Sequence, residues 1–258
     1  MSGRKTRVSF KTLGCRLNQA ETARMAAQFD ASGYEVVTFG SRCDVTVVHG
    51  CAVTLNAEKE SLRLARGARK DKGSPFVILA GCTAQILENN ATGHRDAASR
   101  PVHADLLATQ EIKFCLPEIL HSRFGIGDTP GTEPGRLLPR FTTARARVKV
   151  QDGCDCGCAY CVVPSARGPS VSRPFREVLE EVAALGDAGF KEVILTGANL
   201  GCYKNSGRRL VDLLEAIHEL KTISRIRLSS IEPGTSERAV IDFMAGAHKV
   251  CRHLHIPL

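Results

Sequence analysis

The sequence has no tryptophan, three tyrosines and only 5% aromatic residues, which leaves little material for a base-stacking platform. It has no apolar run near the roughly 18 residues that a membrane span needs. The longest, around Phe76–Gly81, is strand-sized. The N-terminal MSGRKTRVSF is charged and lacks an apolar h-region, so it is not a secretory signal. A cytoplasmic protein without membrane association is expected. Acidic charge is in deficit: 27 Asp and Glu against 35 Lys and Arg give a formal net charge of +8. That excess favours a polyanionic partner, nucleic acid first, with phosphate contacts carrying most of the affinity. A hydrophobic fraction of 43% and a charged fraction of 24% exclude a disordered or collagen-like chain. The 258 residues suffice for about two domains at roughly 150 residues each.

What the chain has in excess is cysteine. Eleven stand at positions 15, 43, 51, 82, 115, 154, 156, 158, 161, 202 and 251. That is many for a cytosolic protein and too few, at this length, for a disulfide-stapled fold. In a reducing compartment, spaced cysteines read as metal or redox ligands.

The chain alternates strand and helix signals. Arg7–Phe10, Glu35–Phe39, Val45–Val48 and Phe76–Ala80 read as strands. Asn18 through Ser32 and the basic stretch Asn56 through Lys72 read as helices. This order predicts a parallel sheet with covering helices. A Gly- and Pro-rich stretch, Gly125–Arg140, marks a boundary. The alternation resumes with strands over Ala146–Gln151, Glu192–Thr196, Arg225–Ser229 and His253–Pro257. The helices between them fall near Arg176–Ala188, Arg209–Leu220 and Ser236–Ala245. Such a series resembles the opening of a (β/α) barrel.

Cys154, Cys158 and Cys161 have C-x3-C-x2-C spacing on a loop directly after a predicted strand. A loop this compact can wrap three thiolates around three irons of a cubane cluster, leaving the fourth iron open to a small chelating ligand. Two other readings stand beside it. Cys156 can serve as a fourth thiolate of a zinc knuckle, or Cys158 and Cys161 alone can form a redox pair. Cys15, Cys51 and Cys82 each follow a predicted strand. Loops after parallel strands gather at the carboxyl edge of the sheet, so these three can converge on a second three-thiolate site. Alternatively, they are three small buried residues.

The segments T-L-G-C-R-L-N-Q-A-E (Thr12–Glu21), G-C-A-V-T (Gly50–Thr54) and A-G-C-T-A-Q (Ala80–Gln85) resemble the N-terminal domain of the methylthiotransferases. V-Q-D-G-C-D-C-G-C-A-Y-C-V-V-P-S-A-R-G (Val150–Gly168) resembles the radical S-adenosylmethionine (SAM) core of the same family. L-T-G-A-N-L-G-C-Y (Leu195–Tyr203) and L-S-S-I-E-P (Leu228–Pro233) are most similar to the branch acting on threonylcarbamoyladenosine in tRNA. The resemblance implies an α/β chain: a Rossmann-like methylthiotransferase domain over 1–124, a linker over 125–143, and a radical SAM partial barrel over 144–258.

It also implies the chemistry. Cys154, Cys158 and Cys161 would hold a [4Fe–4S] cluster whose open iron chelates SAM, and Cys15, Cys51 and Cys82 would hold an auxiliary [4Fe–4S] cluster. SAM cleavage would give a 5′-deoxyadenosyl radical that takes hydrogen from C2 of the modified adenosine. The auxiliary cluster is implicated in supplying the methylated sulfur, and a second SAM the methyl group. The partners would be tRNA and a reducing donor of flavodoxin or ferredoxin type. Tyr160, Thr196, Gly197, Ser229, Ser230 and Glu232 are candidates for lining the SAM site. Arg167 and Arg173 could meet a SAM carboxylate or an RNA phosphate.

Two basic strips are candidate tRNA surfaces: Lys59, Arg63, Arg66, Arg69, Lys70 and Lys72, and Arg136, Arg140, Arg145, Arg147 and Lys149. Cys43, Cys115, Cys202 and Cys251 lack motif context and read as structural, while His253 and His255 are expected to face the barrel. The sequence departs from the family pattern at Cys156, an additional thiol in the cluster loop. It also stops after the fourth barrel strand, before the RNA-binding TRAM domain. Methylthiolation of isopentenyladenosine or of a ribosomal protein, a zinc-stabilised nucleic-acid module, and an inactive incomplete chain remain as alternatives.

Overall fold

Short runs of β-branched and apolar residues become buried parallel strands, and the stretches between them become covering helices. The computed structural model describes residues 4–70, 73–92, 103–127, 138–141, 143–233 and 238–256. The chain divides into two units, Met1–Arg140 and Phe141–Leu258. No described helix is long and apolar enough to cross a membrane.

The first unit runs β1 (Arg7–Thr12), α1 (Arg16–Ala31), β2 (Glu35–Val37), β3 (Val45–Gly50), α2 (Leu55–Ala68), β4 (Phe76–Gly81), α3 (Cys82–Thr92), β5 (Leu106–Ala108) and α4 (Leu116–Phe124). Its sheet has the order β2-β1-β3-β4-β5, and every pairing is parallel. Every residue of the central strand β3 is buried. That suits a strand covered on both faces, which needs a continuous apolar run and not an alternating one. One core holds Met25, Phe29, Val45, Val47, Ile78 and Leu116; the other holds Val48, Ala65, Ala68, Val77, Leu79 and Ala84. Phe29 sits edge-on to Phe10 at 5.5 Å and to Tyr34 at 4.9 Å.

The expected basic helix ends at Ala68, four residues early, and Lys72 lies outside the described residues. So does most of the expected linker, including Arg136. Ile126 and Arg140 in its described flanks are held by the first unit. The Tyr34 hydroxyl donates to the Ile126 carbonyl at 2.8 Å, and Arg140 pairs with Asp30 at 3.0 Å.

The second unit contains β6 (Arg145–Lys149), β7 (Gln151–Asp152), α5 (Val163–Arg167), β8 (Val171–Ser172), α6 (Phe175–Asp187), β9 (Glu192–Thr196), β10 (Lys204–Asn205), β11 (Arg208–Arg209), α7 (Leu210–His218), β12 (Arg225–Leu228) and α8 (Arg238–Gly246). β12, β9 and β6 form a parallel sheet in that order. Parallel bridges Ile226↔Val250 and Ser230↔His255 mark a fourth strand position. The fold is therefore a Rossmann-like parallel α/β unit followed by a partial (β/α) barrel.

Two expectations need correction, and a third falls partly outside the described residues. The strand read over Ala146–Gln151 breaks at Val150, whose N–H bonds the Thr196 carbonyl and whose carbonyl accepts from Arg173 (both 2.9 Å). This frees Gln151 to pair with Ser172 instead. The strand read over His253–Pro257 is reduced, among the described residues, to one bridge at His255, and Pro257 lies outside them. The helix read from Ser236 is described from Arg238, residues 234–237 lying outside.

Candidate functional site: two sets of three cysteines

Cys51 directly follows β3, Cys82 directly follows β4, and Cys15 follows β1 after Leu13 and Gly14. These strands are adjacent and parallel, so the three cysteines stand at one edge of one sheet. The loop after β1 lies directly on the loop after β3. Gly14 has φ +95°, and a Cβ there would come within 2.6 Å of Cys51 Cβ and 2.7 Å of its Sγ. Asn18, fully buried, ties the loops together by donating Nδ2 to the carbonyls of Leu13 (2.9 Å) and Gly50 (3.1 Å). Cys51 and Cys82 are buried, whereas Cys15 is exposed. Cys15 is the N-cap of α1 and Cys82 the first residue of α3. The positive ends of these helices favour anionic ligands at this edge.

A buried polar network lies behind the cysteines. Glu21, His49 and Lys113 have side chains between 0% and 1% exposed. Lys113 Nζ meets Glu21 Oε1 at 2.7 Å, and His49 Nε2 stands 3.4 Å from Glu21 Oε2. The other ring nitrogen of His49 pairs with the Thr22 hydroxyl at 2.8 Å. Lys113 also donates to Gln110 Oε1, and Gln110 Nε2 reaches Cys82 Sγ at 3.9 Å. A buried ion pair is tolerated only where further hydrogen bonds satisfy its atoms, and Gln110 accepts one from Lys113.

The second set lies between β7 and α5. Gln151, fully buried, organises it. Its amide nitrogen donates to the Gly153 carbonyl (2.7 Å) and Ser170 Oγ (3.0 Å). Its amide oxygen accepts from the Asn199 backbone N–H at 2.8 Å, beyond the end of β9. Asp152 binds the Gly153 N–H at 2.9 Å, Arg167 at 2.8 Å and Lys149. Cys154, Cys158 and Cys161 are half-buried. The Cys161 N–H bonds the Cys158 carbonyl at 2.9 Å.

The additional thiol, Cys156, is exposed and accepts from Asn199 Nδ2 at 3.5 Å. Its hydrogen bond to Cys154, followed by burial and the neighbouring thiols, pushes it up to about 11. Cys202, which carried no motif signal, also belongs here. It contacts Cys156, and burial first, then Cys154 and Asp155, hold its thiol above the ordinary value. Among the described residues, no three His, Cys, Asp or Glu side chains converge on a single-ion site. A cubane asks something different, one thiolate per iron at separate corners.

The candidate SAM-lining residues gather at the carboxyl ends of β9 and β12. Thr196 is buried, and its carbonyl takes the Val150 N–H. Gly197 packs so closely that a Cβ would lie 2.8 Å from Gln151 Oε1. Ser229 Oγ is buried without a hydrogen-bond partner among the described residues. Ser230 Oγ is 2.6 Å from His255 Nδ1. Tyr160 is 87% exposed, and the charges of Cys158 and then Glu232 raise its phenol, so these groups are neighbours.

Arg167 and Arg173 are bound to Asp152 and Glu181 within the unit. On the basic strips, Arg63 pairs with Glu60, Arg69 with Asp105, and Arg145 with Glu192. Lys59, Arg63, Arg66, Arg69 and Lys70 are all exposed. His253 and His255 are exposed and do not face a closed interior. Sequence reasoning missed Asn18, Gln151 and Asn199 because their roles are hydrogen bonds between distant loops.

Comparison with known proteins bears on both sets. The model described as "Uncharacterized protein family UPF0004" matches residues 7–99, which include Cys15, Cys51 and Cys82. The Radical SAM superfamily model matches residues 148–258, which include the second set. Threonylcarbamoyladenosine tRNA methylthiotransferase MtaB of Thermotoga maritima is 33% identical over 257 residues, 96% of this chain and 57% of that protein. Its Bacillus subtilis counterpart is 32% identical, covering 97% of this chain and 57% of that protein. The chain carries a UPF0004 region followed by a radical SAM region.

Another similar protein, tRNA-2-methylthio-N(6)-dimethylallyladenosine synthase of Thermodesulfovibrio yellowstonii, is 29% identical and covers all of this chain and 60% of itself. The chain thus spans 57% to 60% of the length of these curated relatives. Among solved structures, the radical S-adenosylmethionine methyltransferase TsrM of Kitasatospora setae aligns with a TM-score of 0.58 at 14% identity. The alignment covers 98% of this chain and 61% of TsrM, and it supports the fold alone.

Proposed function

We propose that the chain serves tRNA methylthiolation at C2 of N6-threonylcarbamoyladenosine, next to the anticodon, by radical SAM chemistry. Cys154, Cys158 and Cys161 hold a SAM-binding [4Fe–4S] cluster, and Cys15, Cys51 and Cys82 hold an auxiliary one. The observation that carries this reading is the gathering of Cys15, Cys51 and Cys82 at one edge of adjacent parallel strands, in a chain whose second unit carries the radical SAM cysteine loop. When bound, the clusters and SAM supply a 5′-deoxyadenosyl radical and the sulfur and methyl groups.

The chain's own residues fit that cargo. Two three-thiol sets offer soft ligands suited to iron–sulfur clusters. The orphaned hydroxyl of Ser229 offers a hydrogen bond to a polar ligand at the carboxyl end of β12. Ser230, Glu232, Thr196 and Gly197 stand at neighbouring strand ends, and exposed Tyr160 is positioned to cover an adenine face. Gln151 holds the loop after β7 against the loop after β9, fixing the thiols before iron arrives.

tRNA is the substrate in this reading, with Lys59, Arg66 and Lys70 as phosphate contacts on the first unit. A flavodoxin- or ferredoxin-type protein is the electron donor, and the cytoplasm is the compartment. The Leu195–Tyr203 segment favours threonylcarbamoyladenosine over isopentenyladenosine.

The test is anaerobic reconstitution with iron and sulfide. Replacing either cysteine set with alanine should remove about one cluster's worth of iron, about four atoms. Nucleoside mass spectrometry of incubated tRNA reads the product. Iron content unchanged without Cys154, Cys158 and Cys161 would reject the assignment.

A further inference from the structure

The sulfurs of the first set are not equivalent. Lysine carries only N–H donors, so the contact with buried Lys113 fixes the Gln110 amide with its oxygen toward Nζ. The amide NH2 is thereby turned toward Cys82 Sγ, at 3.9 Å. The lysine cannot swing away, because Glu21 holds it at 2.7 Å in a fully buried pair. Asn18 is fixed the opposite way. Its NH2 serves two backbone carbonyls, and its oxygen faces Cys15 Sγ at 3.7 Å. Of these two amides, the one at Cys82 presents a donor to sulfur and the one at Cys15 an acceptor.

We propose that Gln110, oriented by the buried Lys113–Glu21 pair, is a positioning residue that donates an N–H···S hydrogen bond to the Cys82 ligand and raises the reduction potential of the auxiliary centre. The inference rests on the reading of Cys15, Cys51 and Cys82 as an iron–sulfur centre. A donor at a ligating sulfur withdraws negative charge from it, which favours the reduced and more negative state of the centre. One electron enters from a low-potential chemical reductant; no bond is made or broken and no proton moves. The sequence gives no hint of this arrangement, since Gln110 and Lys113 lie in an ordinary polar stretch, T-Q-E-I-K-F.

The experiment uses the full chain with Cys154, Cys158 and Cys161 replaced by alanine, so that one centre loads. It is reconstituted with iron and sulfide and titrated with dithionite while paramagnetic resonance is recorded. Gln110→Met and Gln110→Asn, the latter too short to reach the sulfur, should both bind iron at the parental level and titrate at a lower midpoint potential. With glutamine labelled by ¹⁵N, the hyperfine coupling seen in the parent should vanish in both variants. Parental potentials in the variants, or no ¹⁵N coupling in the parent, overturn the role of Gln110. Failure of the parent to load iron at all overturns the underlying centre itself, a different and recognisable result.

Discussion

Lys113→Met isolates the energetic weight of the network behind the first cysteine set. Its Nζ lies 2.7 Å from Glu21 Oε1, and the two side chains are 1% and 0% exposed. Methionine matches much of the lysine stem but leaves the Glu21 carboxylate buried without its cation. Breaking one side of a buried pair costs about 3–5 kcal/mol, and in a chain of this size each kcal/mol moves the melting temperature by about 2–4 °C. The variant should therefore melt about 10 °C below the parent. Adding Glu21→Gln removes the stranded charge while keeping a polar group 3.4 Å from His49 Nε2. The double variant should recover more than half of the loss. Calorimetry of the metal-free, reduced protein, read as a double-mutant cycle, gives the coupling directly. A single variant melting within about 2 °C of the parent, or a double variant no better than the single, would refute the claim that this pair is buried and mutually dependent.

Three further outcomes follow from the geometry. Gly14→Ala places a Cβ 2.7 Å from Cys51 Sγ at a φ of +95°. It should therefore lower iron binding at the first set alone, which iron analysis in the background lacking the second set would reveal. Gln151→Leu leaves the Asn199 N–H without its acceptor, at about 1–3 kcal/mol for an unsatisfied buried donor. Iron at the second set should drop while the first set stays loaded, and equal loss from both sets would contradict this. Burial raises the phenol of Tyr203, with Arg173 and Arg208 pulling the other way, and its hydroxyl donates to the Arg173 carbonyl at 3.1 Å. A raised folded value means that its contribution is complete below the unfolded value near 10 and fades as pH climbs through the folded one. The stability gap between the parent and Tyr203→Phe in urea should therefore narrow above pH 10; a gap independent of pH would show that the phenol is not held neutral by the fold.

How far the sequence reaches depends on the range of the forces involved. The strands around Val45–Val48 and Phe76–Ala80 were legible because a strand covered on both faces must be apolar along its length. Cysteines directly after such strands were then legible as neighbours at a carboxyl edge. Lys113 was not legible. A lysine is almost never fully buried unless paired, and its partner Glu21 lies on α1, far away in sequence. Cys202 escaped for the same reason, its place beside Cys156 being set by the turn after β9. Sequence shows the charge of the basic strips without showing that Glu60, Asp105 and Glu192 pair with Arg63, Arg69 and Arg145. Elements between Cys82 and Phe124 carried weak periodicity, and α3, β5 and α4 emerge from packing on the sheet.

The two cysteine sets share one structural device. In each unit a fully buried side-chain amide links loops that follow different strands: Asn18 joins the loops after β1 and β3, and Gln151 joins the loops after β7 and β9. An amide offers two donors and an acceptor in a fixed plane, so it can satisfy several loop backbone groups at once where water is excluded. Loops are ordinarily the least constrained parts of a fold. On the proposed reading, tethering them this way orders the cysteine-bearing loops before iron binds. Ligand placement is then part of folding, and the entropy of ordering the loops is met by hydrogen bonds and packing already present in the apo chain. A centre assembled on such an edge should bind iron without a large change in secondary structure, which far-ultraviolet circular dichroism before and after reconstitution would register as near-identical spectra.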